Sequence, residues 1–106
     1  MKAKRFNQGK PKWSLVHFKS LEPMIQVLEF GAVKYGADNW KKGLDSKEIL
    51  ESMQRHLGAL MDGQDTDPES KLHHIGHIMC NAMFYSYFYG TSNKPKQSRD
   101  SKSRRK

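Results

Sequence analysis

Residues 70–89 read SKLHHIGHIMCNAMFYSYFY, and how this stretch is read decides the fold. Leu72, Ile75, Ile78, Met79, Ala82, Met83, Phe84 and Phe88 recur at helical spacing, which predicts a helix over about 69–89. Beyond position 78 the segment is apolar nearly all round, so it belongs at the centre of a bundle or at a subunit contact. His74, His77 and Asn81 stand at i, i+3 and i+7 and share one face, whereas His73 is rotated by about 100° from His74. Burying such groups without partners costs roughly 1–3 kcal/mol each. The face therefore holds either a ligand or a hydrogen-bonded core network.

Working outward, the polar connector GQDTDPES carries Pro68 and Ser70 as helix-start signals. Before it, Leu50, Met53, Leu57, Leu60 and Met61 form the stripe of a second helix, capped by Asp45 or Ser46 and ending near Asp62 and Gly63. A first helix is predicted over about 21–35, with Ser20 as N-cap, Pro23 in its first turn and a stop at Gly36. ADNWKKGL, between these two helices, reads as a loop with an exposed Trp40. WSLVHF near the start is the one candidate for an extended segment. The fold class expected is all-α, a small bundle of three principal helices completed by oligomerisation or by a short N-terminal element.

The chain of 106 residues has a formal net charge of +8, but the excess lies at its ends. Residues 1–12 hold five Lys/Arg and no acid, and residues 91–106 hold seven against Asp100 alone. Residues 13–90 are mildly acidic, so the high pI does not by itself mark the body as a nucleic-acid binder. The organisation expected is a basic flexible arm (1–12), a helical domain (13–90) and a disordered basic tail (91–106). The tail has no aliphatic or aromatic side chain to offset its ordering; it is either a solubilising tail or a contact for nucleic acid or an acidic protein. A body of this size buries little core, which favours a homo-oligomer. Cys80, alone in an apolar run, reads as a reduced core thiol, and no secretory signal or membrane span is apparent, so a cytoplasmic setting is expected.

Two chemistries are written into these helices. Glu48 and Glu51 lie one turn apart with Arg55 on the same face, a carboxylate pair able to hold a hard ion such as Mg²⁺, with Arg55 or Lys34 clamping phosphate. His56, His74 and His77 with Asp67 could instead furnish a nitrogen-rich site for zinc or another transition ion. Antiparallel packing of the second and third helices would bring both sets to one groove. On the bland side, Glu48 and Glu51 form a solvated face paired with Lys47 or Arg55, and Trp40 is a lid packed on the core.

KPKWSLV at 10–16, FGAVKYGADNWKKG at 30–43, ESMQRHLGAL at 51–60 and GQDTDPESKLHHIGH through Asn81 together resemble the N-terminal domain family of dATP/dGTP diphosphohydrolase, related in function to the all-α MazG-type pyrophosphohydrolases. The resemblance implies cleavage between the α and β phosphates of a purine deoxynucleoside triphosphate with Mg²⁺. Carried over position by position, it picks out Lys34, Tyr35, Asn39, Trp40, Arg55, His56, Asp65, Asp67, Glu69, Ser70, His74, His77 and Asn81. The chain departs from the pattern at Lys71, where Gly is expected, and at Gln64, where an acid is expected. MazG-type enzymes use ExxE and then ExxD; here Glu48 and Glu51 match the first, while His74 and His77 stand in the second. Imidazoles there favour Mn²⁺ or Zn²⁺ over Mg²⁺, or direct binding of phosphate by protonated His.

The leading expectation is a metal-dependent nucleoside triphosphate pyrophosphohydrolase. Glu51, His56, Asp67 and His77 are its candidate catalytic groups, and Glu48, Glu51, His74 and His77 its candidate metal ligands. Lys34, Tyr35, Trp40, Arg55 and Asn81 would hold the nucleotide, Lys34 and Arg55 on phosphate, Tyr35 or Trp40 on the base. The alternatives are a non-enzymatic phage-type module that binds nucleic acid or a host protein through its basic arms, and an accessory protein whose His/Asn face is only a satisfied core network.

Overall fold

The computed structural model describes residues 2–90; the basic tail 91–106 lies outside the described residues. The chain folds as three α-helices: α1 (Glu22–Tyr35), α2 (Ser46–Met61) and α3 (His74–Tyr85), the last continued by a single π turn, Ser86–Gly90. Short 3-10 turns at Trp13–Leu15 and Phe18–Leu21 precede α1, so within WSLVHF only Val16 and His17, between the turns, are extended. Another, Asn39–Lys42, fills the α1–α2 connection. The all-α bundle of three helices is as the periodicity indicated.

α3 is the central element, packing against both α1 and α2, as its nearly all-round apolar surface requires. Against α2 it runs antiparallel: His56 meets His74 and His77, Ser52 meets Asn81, and the Leu44 carbonyl just ahead of α2 accepts from the Tyr89 hydroxyl. The crossing with α1 is set by Gly76, where an added Cβ would run into the Pro23 carbonyl and lie 3.0 Å from Val27 Cγ2. Only a residue without a side chain lets the two backbones approach this closely. Val27, Ile49, Cys80 and Phe88 are the buried apolar side chains among the described residues.

The helix ends show which local signals operate. α1 stops at Gly36, whose φ of +98° is open to glycine at little cost. Its N-cap is Leu21 rather than Ser20, and Pro23 sits in the first turn. α2 is capped by Asp45, whose Oδ2 accepts from the Glu48 amide at 3.2 Å, a contact that stabilises by about 1 kcal/mol.

α3 corrects the sequence reading, because it begins at His74 and not near 69. Pro68 and Ser70 open a turn instead of a helix. The Asp67 carboxylate accepts from the Ser70 amide (2.8 Å), the Asp67 carbonyl accepts from Lys71, and the Asp67 amide donates to Leu72. Lys71 then adopts φ +65°, and Thr66 and His73 form an isolated antiparallel bridge. Asx geometry competes with the helix for these amides and wins. As a result Asp67 and Ser70 fold back over the first turn of α3.

Candidate functional site

Five side chains that are scattered in sequence converge here. α3 contributes His74 and His77, α2 contributes His56, and the folded-back turn contributes Asp67 with Ser70. The His56 and His77 rings stack with centroids 4.4 Å apart and planes 3° from parallel. His56 Nδ1 lies 2.7 Å from His74 Nδ1, so one ring donates and the other accepts. His74 is buried, and in either tautomer its Nε2 meets no hydrogen-bond partner. His77 Nε2 is 2.7 Å from Ser70 Oγ, and Ser70 Oγ accepts from the Leu72 amide.

Burial, followed by the neighbouring His77 and His74, holds His56 below the ordinary imidazole value. Burial likewise holds His77 low, against the opposing pull of Asp67. Both rings are therefore neutral at pH 7, with lone pairs available for a proton or a metal. Burial pushes the Asp67 carboxyl up, but hydrogen bonds from Ser70 and the nearby His77 and His56 outweigh it, and the group stays below its usual range as a carboxylate. Ser70, His77 and Asp67 are not a nucleophilic triad. Asp67 Oδ2 approaches the same Nε2 that Ser70 occupies, at 4.0 Å, instead of orienting the ring from its other nitrogen.

Beside this cluster lies a cavity of about 730 Å³, within the range of small-molecule sites. Phe30, Tyr35, Trp40 and Phe84 supply its aromatic wall, and Ser52, His77 and Asn81 its polar groups. His77 thus belongs to both the cluster and the cavity. Asn81 is held by donating to Ser52 Oγ and to the His77 carbonyl, each at 3.0 Å. Trp40 is half-buried, stacked on Phe84 with centroids 4.6 Å apart and edge-on to Tyr87 and Phe88; it is a wall of the cavity rather than an exposed platform. Tyr35 lines the same space and is 62% exposed, leaving its ring accessible.

The remaining candidates lie elsewhere. Glu48, Glu51 and Arg55 line a separate shallow hollow with Lys47, sharing no residue with the cavity, so α2 does not turn the acid pair and the imidazoles to one groove. Lys34 pairs with Glu69 at 3.0 Å, and that hydrogen bond holds its ammonium above the usual value. Sequence reasoning missed Ser52, although its position one turn before His56 placed it on the same face, and it read Ser70 as a helix start rather than as the partner of His77.

The donor set can be tested against a metal. His56, Asp67 and His74 each bring one ligand atom within 4.8 Å of the others, and the unpartnered Nε2 of His74 is a polar atom for which the protein supplies nothing. Two imidazoles and one carboxylate fit a borderline ion better than Mg²⁺, which is held through oxygens.

The structure therefore describes a small helical domain with an imidazole–carboxylate cluster that shares His77 with an aromatic cavity of about 730 Å³. The chain belongs to the family described as dATP/dGTP diphosphohydrolase, N-terminal, which matches residues 1–99. It is 36% identical over 91 residues to a dATP/dGTP diphosphohydrolase of Salmonella phage PMBT28, an alignment covering 86% of this chain and 30% of that relative. The chain thus spans about a third of the length of the relative it matches. No solved structure gives a significant match. Among the described residues no helix is long and apolar enough to cross a membrane.

Proposed function

We propose that this domain hydrolyses a purine deoxynucleoside triphosphate to the monophosphate and pyrophosphate, in a divalent-metal-dependent reaction. The observation that carries the reading is that His77 is shared between the aromatic cavity and the imidazole–carboxylate cluster. The base lies against Tyr35 and the Trp40 wall, and Asn81 and Ser52 offer polar contacts. The oxygen of water forms a bond to the α phosphorus and the bond from that phosphorus to the α,β-bridging oxygen breaks, its electron pair leaving with pyrophosphate. His77, neutral at pH 7, accepts the proton of the attacking water. A divalent ion, when bound, neutralises charge on the phosphoryl oxygens and lowers the pKa of water. The dATP/dGTP activity named for the phage relative supports the substrate class.

A homo-oligomer in the cytoplasm, the host's if the chain is of phage origin, belongs to the same proposal. Leu50, Leu57 and Met61 are exposed (42%, 50% and 79%) and share one face of α2 by their spacing, a stripe suited to a second copy. The test is to incubate the full chain with dATP, dGTP and the corresponding ribonucleotides in Mg²⁺, Mn²⁺ or Zn²⁺ and to measure pyrophosphate. Release from the purine deoxynucleotides is expected; absence of product with every metal overturns the reading.

A further inference from the structure

We propose that His56, Asp67 and His74 form a binding site for one divalent ion of the zinc class, and that this site is separate from the Glu48/Glu51 pair. The three ligand atoms lie within 4.8 Å of one another, against a separation of about 3–3.5 Å between donors on a tetrahedral ion with bonds near 2.0–2.2 Å. Small side-chain rotations supply the difference. Three protein ligands with a further position left for water or substrate is the pattern of an ion that does chemistry rather than one that only braces a fold.

Independent features of the molecule point to the same ion. His74 is only 4% exposed, and its Nε2 has no partner; ligation through that Nε2 removes the cost of leaving it unpaired. Ser70 fixes the carboxylate of Asp67 by donating its amide to Oδ2, the kind of support that orients metal ligands. The cavity is also poor in unpaired positive charge. Lys41 is the one Lys or Arg among the described residues lining it, and it is already paired with Asp38 at 3.3 Å. Lys34, whose ammonium lies 5.2 Å from the centroid of the Tyr35 ring, pairs with Glu69 at 3.0 Å, and Arg55 lies in the other hollow. A triphosphate seated here carries more negative charge than these two paired lysines offset, and an ion at the cluster would stand beside His77 at the cavity edge. In this use, though not in its binding, the inference rests on the hydrolytic reading above.

The full chain is stripped with a chelator and titrated with Co²⁺ as a spectroscopic substitute for Zn²⁺, with no nucleotide present. Visible absorption that saturates at one ion per chain, is displaced by Zn²⁺ and is accompanied by a rise in melting temperature is expected; Mg²⁺ at equal concentration leaves the melting temperature unchanged. His56→Gln and Asp67→Asn each weaken Co²⁺ binding by roughly 100-fold or more, since even supporting residues contribute about 10–100-fold. The Glu48→Gln/Glu51→Gln double variant titrates as the unsubstituted chain. No absorption in the unsubstituted chain, unchanged affinity in both ligand variants, or loss in the double variant overturns the proposal. Where a variant loses its helical circular dichroism, the unsubstituted titration decides alone. A chain that binds the ion but releases no pyrophosphate overturns the reaction and leaves the site standing, and turnover without Co²⁺ or Zn²⁺ binding does the reverse.

Discussion

The imidazoles of His56 and His77, one from each of two antiparallel helices, lie face to face with centroids 4.4 Å apart. Two rings stacked this closely and withdrawn from water resist taking up protons, and that resistance couples the stability of the bundle to pH. In the unfolded chain both titrate near 6.5, so below that value the unfolded state binds protons the native state refuses, and stability falls with pH. Asp67 adds a second loss below about 3.8, because its native carboxyl stays ionised to lower pH than its unfolded counterpart. In metal-free protein the urea midpoint should be lower at pH 5.5 than at pH 7.5; equal midpoints would mean the stack does not oppose protonation.

His77→Gln should lower pyrophosphate release by roughly 10²–10⁴-fold, the usual contribution of a positioned acid or base, while helical circular dichroism stays unchanged. A loss of less than tenfold in kcat would remove His77 from the proton transfer.

Gly76→Ala should destabilise the domain by about 2–3 kcal/mol, since the new Cβ meets backbone at Pro23 and cannot be accommodated by a rotamer change. Gly58→Ala is the contrast: nothing lies within 4 Å of the added methyl on α2, and helix propensity alone predicts a gain of about 0.5–1 kcal/mol. Thermal unfolding of the pair measures both, at about 4–8 °C per kcal/mol for a domain of this size.

Lys71 holds a left-handed conformation (φ +65°) in the turn that delivers Asp67 and Ser70. A side chain strains that backbone by about 1–2 kcal/mol, partly offset by the greater freedom glycine has when unfolded. Lys71→Gly should therefore raise the melting temperature modestly, and a fall would show that the lysine side chain itself stabilises the turn.

Cys80 is buried in the core of α3, and burial pushes its thiol up to about 12. The native chain should resist iodoacetamide at pH 8, and labelling should appear only with unfolding; rapid labelling of folded protein would place the thiol at an accessible surface.

Much of the architecture was legible because helix signals are local. The Asp45 cap, Pro23 in a first turn and Gly36 at an end each depend on neighbours within a turn or two, and each operates in the structure. The apolar spacing of Leu50 to Met61 marked α2 as a helix, but its packed face runs through Ile49, while Leu50, Leu57 and Met61 are exposed. The start of α3 was not legible, because Asp67, Ser70 and Lys71 make a closed turn whose hydrogen bonds outcompete the helix the same residues announce.

The sequence by itself determined an all-α chain, the family and the His74–His77–Asn81 face, since these follow from residue order and a 3.6-residue period. Tertiary structure alone decided which polar groups share a site. Of the two groupings the sequence offered, it brought His56 and Asp67 to that face and left Glu48 and Glu51 in another hollow. The physical reason is that a helix's rotation about its axis, and the path of a turn beside it, are fixed by contacts such as Gly76 against Pro23 between residues far apart in the chain, and no local pattern records them.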